Sequence, residues 1–210
     1  AEEYLDRSLE HRDDTTLELD PKMEFWAHCS NLQAWHENGY DTRLIHRNLA
    51  FPLLKELTDA GDPLAKSVFK EQIAKRFLSG YINVSNYLLK QGYLKYLDRE
   101  EIDVLVKEIN ERFGEIRERA KRPDFSDFLS DFGNELFLTK QYRNAAMMLK
   151  WSHDLDSSNS ENLNLLSRSL YKIGNVEAAL KYSQRSIQVD PNNFWGYHLL
   201  SKLYIELGQY

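Results

Sequence analysis

The stretch that decides the fold is Ser160–Asn193, "SENLNLLSRSLYKIGNVEAALKYSQRSIQVDPNN". It carries two apolar stripes at helical spacing. Leu163, Leu166 and Leu170 share a face of one helix, and Ala179, Leu180 and Ile187 share a face of the next. Gly174 stands between them, where a left-handed residue ends a helix without steric cost. Asn175 follows as an N-cap, its side-chain oxygen placed to accept from the first-turn N–H groups. The 34 residues therefore read as an antiparallel helix pair.

Sliding the C-terminal third of the chain on itself by 34 residues extends this reading in both directions. Leu129, Leu163 and Tyr197 align, as do Phe132, Leu166 and Leu200, and Leu136, Leu170 and Tyr204. Small residues recur at Gly133, Ser167 and Ser201 and let paired helices approach closely. Gly174 aligns with Gly208, with Lys140 at the earlier equivalent; Tyr142, Val176 and Tyr210 align; Ala145 meets Ala179, Ser152 meets Ser186 and Asp156 meets Asp190. A helix pair with two half-buried stripes cannot bury them alone, so such units stack on their neighbours.

This pattern of a large apolar residue, Leu, a small residue, an aromatic, Gly, Ala and Pro resembles the tetratricopeptide (TPR) repeat. The units run 126–159, 160–193 and a truncated 194–210. The resemblance implies an all-α solenoid of antiparallel helix pairs in a right-handed superhelix, with the first helices lining a concave groove. On that face fall Asn134 and Phe137, then Asn164, Arg168, Tyr171 and Lys172, then Trp195, His198 and Lys202. Read through the resemblance they are peptide-contacting positions; read without it they are the exposed face of each helix. Some TPR proteins hold the C-terminal carboxylate of heat-shock chaperones with a Lys/Asn/Asn/Lys/Arg clamp. Here only Asn134 matches, and Ser130, Leu165, Trp195 and Leu199 take the other four positions, so that mode is not expected. The last unit lacks its second helix, leaving Tyr197, Leu200 and Tyr204 uncovered. The expectation is that the protein continues past Tyr210 or docks there, with pairing of two copies one outcome.

Upstream, the chain also reads as helices. Asp62-Pro63 is a cap followed by a first-turn proline, and Ala65, Phe69, Ile73 and Phe77 follow at i+4 spacing until Gly80. Asp98 and Glu101 form a capping-box pattern. Ile102, Leu105, Ile109, Phe113, Ile116 and Ala120 predict one long amphipathic helix, weakened by Gly114 and stopped by Pro123. Pro52 is expected to kink or split a helix begun near Thr42. Phe25, Cys29, Leu32 and Trp35 make another stripe, and Trp26, Trp35 and Trp151 are expected in the core. "NLQAWHENGYDTRLIHRNLAFPLLKELTDAGDPLAKSVFKEQIAKRFLSGY" (residues 31–81) resembles a helical module that precedes repeat arrays in uncharacterised prokaryotic, notably archaeal, proteins; no activity follows from it. The expected organisation is an acidic arm (1–20), a helical cap or docking module (21–97), a connecting helix (98–122) and the repeat array (126–210).

Charge narrows the function. The net charge is -6, from 27 basic and 33 acidic residues. Residues 1–20 alone hold eight acids and two bases, so the other 190 residues are balanced. A generally basic nucleic-acid binder is excluded as the default. The arm is instead a candidate self-ligand for a groove bearing Arg168, Lys172 and Lys202. The run Lys107–Arg122 has six bases and four acids at helical spacing, read either as a nucleic-acid contact or as a solvated face laced by i,i+4 pairs. With mean hydropathy -0.61 and no long apolar run, no membrane span is expected.

Chemistry is sparse. Cys29 is the only cysteine, which excludes an intrachain disulfide and fits a cytoplasmic setting. His28, Cys29, His36 and His46 read either as a zinc or Cys–His site or as residues packed on helix surfaces; neighbours on a helix point about 100° apart, which opposes the first. "DTRLIHRN" (residues 41–48) reads either as a ligand pocket or as a cap, with Arg43 paired to local carboxylates. No phosphate loop or hydrolase motif is present. The reading is a non-enzymatic scaffold binding a peptide or helix, with no cofactor and no metal. The alternative is a regulatory or recruiting segment of a larger enzyme.

Overall fold

A computed structural model describes residues 20–119 and 122–208. Among them all regular structure is helical: α1 (Pro21–Glu37), α2 (Arg47–Asp59), α3 (Pro63–Phe77), α4 (Ile82–Lys90), a 3-10 turn (Tyr93–Tyr96), α5 (Arg99–Glu111), α6 (Phe113–Arg119), α7 (Arg122–Leu138), α8 (Tyr142–Leu155), α9 (Ser160–Lys172), α10 (Val176–Val189) and α11 (Phe194–Glu206). The acidic arm lies outside the described residues, apart from Asp20, whose side chain accepts from the Lys22 N–H and caps α1.

The chain divides into two compact units, residues 1–69 and 70–210. Residue 97, where the sequence places a boundary, lies within the second unit, and contacts there join the segments on either side of it. Phe77 sits 5.6 Å from Phe128 and 5.1 Å from Phe132 by ring centroids. Lys70 Nζ reaches Glu101 at 2.8 Å and Asp98 at 3.3 Å, and Arg112 donates to the Leu78 carbonyl. The second half of α3, together with α4, thus belongs with α5 and α7.

In the first unit, Trp35, Tyr40, Ala50, Phe51, Leu54, Ala65 and Phe69 are buried. Trp35 meets Tyr40 edge to face at 4.8 Å, and Phe51 lies 5.0 Å from Phe69. Asp62 caps α3 as the sequence predicts, accepting from the N–H groups of Leu64 and Ala65. The stripe on α1 needs correction: Phe25 (61%) and Leu32 are exposed, Cys29 is half-buried and Trp35 alone of it is core, while Trp26 beside it is 66% exposed. Trp26 is therefore not the core residue expected, and Trp151 is half-buried. The helix placed near Thr42 begins instead at Arg47 and runs through Pro52 without splitting. Asp41 accepts from the Arg43 backbone N–H in an Asx turn ahead of that start.

In the second unit, an aromatic row organises the core. Phe125, Phe128 and Phe132 fall at i, i+3 and i+7 on α7, each buried, with neighbouring rings about 6 Å apart. Phe113 extends the row, 5.6 Å from Phe125 and 4.3 Å from Trp151. The capping box at α5 is present in both directions. The helix expected over 98–122 is two helices among the described residues, with α5 ending at Glu111, Arg112 as its C-cap and α6 beginning at Phe113; Ala120 and Lys121 lie outside the described residues. Pro123 falls in the first turn of α7, where a residue lacking a backbone N–H is tolerated.

From α7 onward each helix packs on the next: α7 on α8, α8 on α9, α9 on α10 and α10 on α11, with α9 also touching α7 and α11. The boundaries repeat. α7, α9 and α11 end at 138, 172 and 206, and α8 and α10 start at 142 and 176, each interval being 34 residues. A Cβ on Gly133 would lie 2.6 Å from Leu149 Cγ, so this glycine lets α7 and α8 meet. Gly196 does the same for α11, where a Cβ would lie 2.7 Å from Ile187 Cγ2 on α10. Asn159, Asn175 and Asn193 each cap the helix that follows.

Candidate functional site

The site is built by three helices that end in register. α7 supplies Phe137 from its last turn. α9 supplies Arg168, Tyr171 and Lys172, spaced i, i+3 and i+4 and so on one face. α11 supplies Trp195, His198, Leu199 and Lys202, again at i, i+3, i+4 and i+7. Together they line a cavity of about 140 Å³.

Cations and rings alternate across it. The Arg168 guanidinium carbon lies 4.7 Å from the Phe137 ring centroid and 5.5 Å from that of Trp195, linking three helices through one side chain. Lys202 Nζ lies 5.0 Å from the Tyr171 ring, and Lys172 Nζ lies 6.0 Å from that of Tyr142. His198 stacks on Phe194 at 6.1 Å and meets Trp195 edge-on. Trp195 is 54% exposed and Phe194 68%, so a large part of this aromatic surface faces solvent. Exposed aromatics beside cations give a surface that is both apolar and positive, which suits a segment presenting apolar and acidic or π-bearing groups.

Of the residues singled out from the sequence, Phe137, Arg168, Tyr171, Lys172, Trp195, His198 and Lys202 are brought together. Asn134 is exposed on α7 but does not line the cavity. Asn164 is a correction to the exposed-face reading: it is 6% exposed, and its Oδ1 is buried with no hydrogen-bond partner among the described residues. Two residues were missed. Leu199 floors the cavity and Tyr142 stands at its edge beside Phe137 and Lys172. The signal for Tyr142 was its alignment with Val176 in the 34-residue register.

The remaining candidates are not assembled into one site. His28 Nε2 lies 3.7 Å from Glu24 one turn back on the solvent side, Cys29 is half-buried, and His36 meets the Tyr40 ring at 5.3 Å. Among the described residues, no group of three or more His, Cys, Asp or Glu side chains could hold a metal ion. In 41–48, Arg43 forms a two-pronged ion pair with Asp41, its Nη2 at 2.6 Å. In the charged run, Lys107 lies 3.8 Å from Glu111 and Arg112 lies 3.6 Å from Glu115, while Lys121 falls outside the described residues. Among the described residues no helix is long and apolar enough to cross a membrane.

No protein-family model matches the chain, and no curated protein matches it.

Proposed function

We propose that this protein is a non-enzymatic interaction module whose C-terminal helix pairs form a TPR-like array and bind a peptide or helix on the face shared by α7, α9 and α11. The carrying observation is Arg168, held between Phe137 and Trp195 from the two flanking helices. The 34-residue spacing of helix ends and the stepwise packing of α7 to α11 support the repeat reading. Solvent-facing Trp195 and Phe194 support a binding role, because exposed aromatics beside arginine are the residue types that anchor peptide interfaces.

The test is a selection of random displayed peptides on the full chain, with the winners measured against Trp195→Ala and Arg168→Ala. Truncating a central anchor typically costs about 2 kcal/mol, roughly thirtyfold in affinity. The proposal expects loss of that order in both variants with folding intact by circular dichroism. Winners that bind both variants as tightly as wild type would place recognition elsewhere.

A further inference from the structure

A second cleft, of about 640 Å³, lies between α5 and the start of α8 and borders the face described above at Tyr142. Its lining holds four cations, Arg99, Lys107, Lys140 and Arg143, against one carboxylate, Asp103. The carboxylate is engaged already, accepting from Asn144 Nδ2. Of the cations, Lys107 lies 3.8 Å from Glu111, whereas Arg99, Lys140 and Arg143 have no anionic partner among the described residues. Counting Glu111 beside Lys107, four cations face two carboxylates, which leaves a net charge of +2 around the cleft. The size falls in the range of small-molecule sites, about 300–1,000 Å³.

Two features of the backbone reinforce the charge. The start of α8 faces this cleft through Tyr142, Arg143 and Asn144, and its N-cap, Gln141, makes no side-chain hydrogen bond to the first-turn N–H groups. Those donors, at the positive end of a 14-residue helix, favour an anion. Lys140 takes a left-handed conformation, φ +63°, at the turn where Gly174 (φ +82°) and Gly208 (φ +66°) occupy the equivalent positions. Glycine suits that conformation better, yet here a lysine holds it and its side chain borders the cleft.

We propose that this cleft binds a small dianion of the phosphate-monoester class. Lys140, Arg143 and the first-turn N–H groups of α8 receive the phosphate, and Tyr142, Met147 and Val106 give its organic part an apolar wall. The excess of two positive charges matches a dianion, and arginine with backbone N–H groups gives the charge-assisted, multi-pronged geometry that phosphate oxygens accept. The cleft meets the edge of the peptide face only at Tyr142, and loss of phosphate binding through Lys140 and Arg143 would leave the peptide reading untouched.

The experiment is calorimetric titration of the full chain with phenyl phosphate at low salt and pH 7.5, beside benzoate as a monoanion of the same ring. Saturable phenyl phosphate binding is expected, with benzoate weaker by about tenfold. Arg143→Gln and Lys140→Gly should each weaken phenyl phosphate binding by about tenfold. Lys140→Gly should do so while unfolding at the same or a higher temperature, since glycine relieves the left-handed turn; a merely structural role would not separate the two effects. No saturable binding, or equal binding in wild type and both variants, would overturn the site. Equal binding of benzoate would overturn the dianion assignment.

Discussion

Arg168 and Trp195 are joined across two helices: the guanidinium carbon sits 5.5 Å from the indole centroid, with the Phe137 ring on its other side at 4.7 Å. A planar, weakly hydrated guanidinium is better suited to lie between two rings than a strongly hydrated lysine ammonium. Arg168→Lys therefore keeps the charge but loses the stacked plane. The expected result is a roughly two- to fivefold loss of affinity for a selected peptide, the equivalent of about 0.5–1 kcal/mol for an exposed cation–π pair. Fluorescence anisotropy of the labelled peptide measures it, and an unchanged affinity would mean that charge alone matters there.

The glycines separate into opposite classes. Gly133 and Gly196 each lie where a Cβ would come within 2.6–2.7 Å of a side chain on the neighbouring helix, Leu149 in one case and Ile187 in the other. Gly133→Ala and Gly196→Ala should each destabilise by about 1–3 kcal/mol through overpacking. Gly114, in α6, has nothing within 4 Å of its added Cβ. Gly114→Ala should stabilise by up to about 1 kcal/mol, because alanine gives up less chain entropy in a helix. Urea denaturation of the three variants checks both signs.

His153 gives a pH dependence. Burial pushes its imidazole below the ordinary value of 6.5, with Arg185 adding to the effect and Asp154 and Asp156 opposing it. It packs edge to face on Tyr182 at 5.7 Å, and its buried Nδ1 has no hydrogen-bond partner among the described residues. The unfolded chain takes up this proton first as pH falls. The neutral imidazole's contribution is therefore complete above about pH 6.5 and is lost as pH drops through the lower folded value. His153→Gln should flatten the stability loss between pH 6.5 and 5. An unaltered slope in denaturation series at those pH values would refute it.

Tyr40 and Asp62 are coupled in the other unit. Burial first, and then the hydrogen bond to Asp62, push the Tyr40 phenol up to about 12. That same bond, followed by the Ala65 N–H, holds the Asp62 carboxyl below its ordinary value of 3.8. The ionised carboxylate is stabilising above the unfolded value, and its contribution disappears as pH falls through the depressed one. Tyr40→Phe should raise the Asp62 titration midpoint towards 3.8 and make the acid-side loss of stability shallower. Carboxyl carbon shifts followed by NMR report it directly.

Much of the second unit was legible in the sequence because local and long-range signals agree there. Asn175 and Gly174 mark a turn, Asp98 and Glu101 mark a start, and the 34-residue register pairs Ala145 with Ala179, both fully buried. The aromatic and cationic face of α9 and α11 was expected only through the repeat resemblance that this register carries. What escaped was set by packing partners far along the chain. α1 carries a helical stripe, yet Phe25, Trp26 and Leu32 stay exposed, because a stripe specifies a face and not what covers it. The unit boundary inside α3 depends on Phe77 meeting Phe128 and Phe132, more than fifty residues downstream. Lys140 stands where the register places Gly174 and Gly208 and shares their left-handed backbone, but the cleft it borders joins α5 to α8 across about forty residues of sequence and has no such local signal.

The most direct measurement of the central claim is chemical-shift mapping of a display-selected peptide on the isotopically labelled full chain. The account predicts the largest changes at Phe137, Arg168, Trp195, His198 and Lys202. Changes concentrated instead at the exposed Phe25 and Trp26 of α1, with the α7–α9–α11 face unmoved, would contradict it.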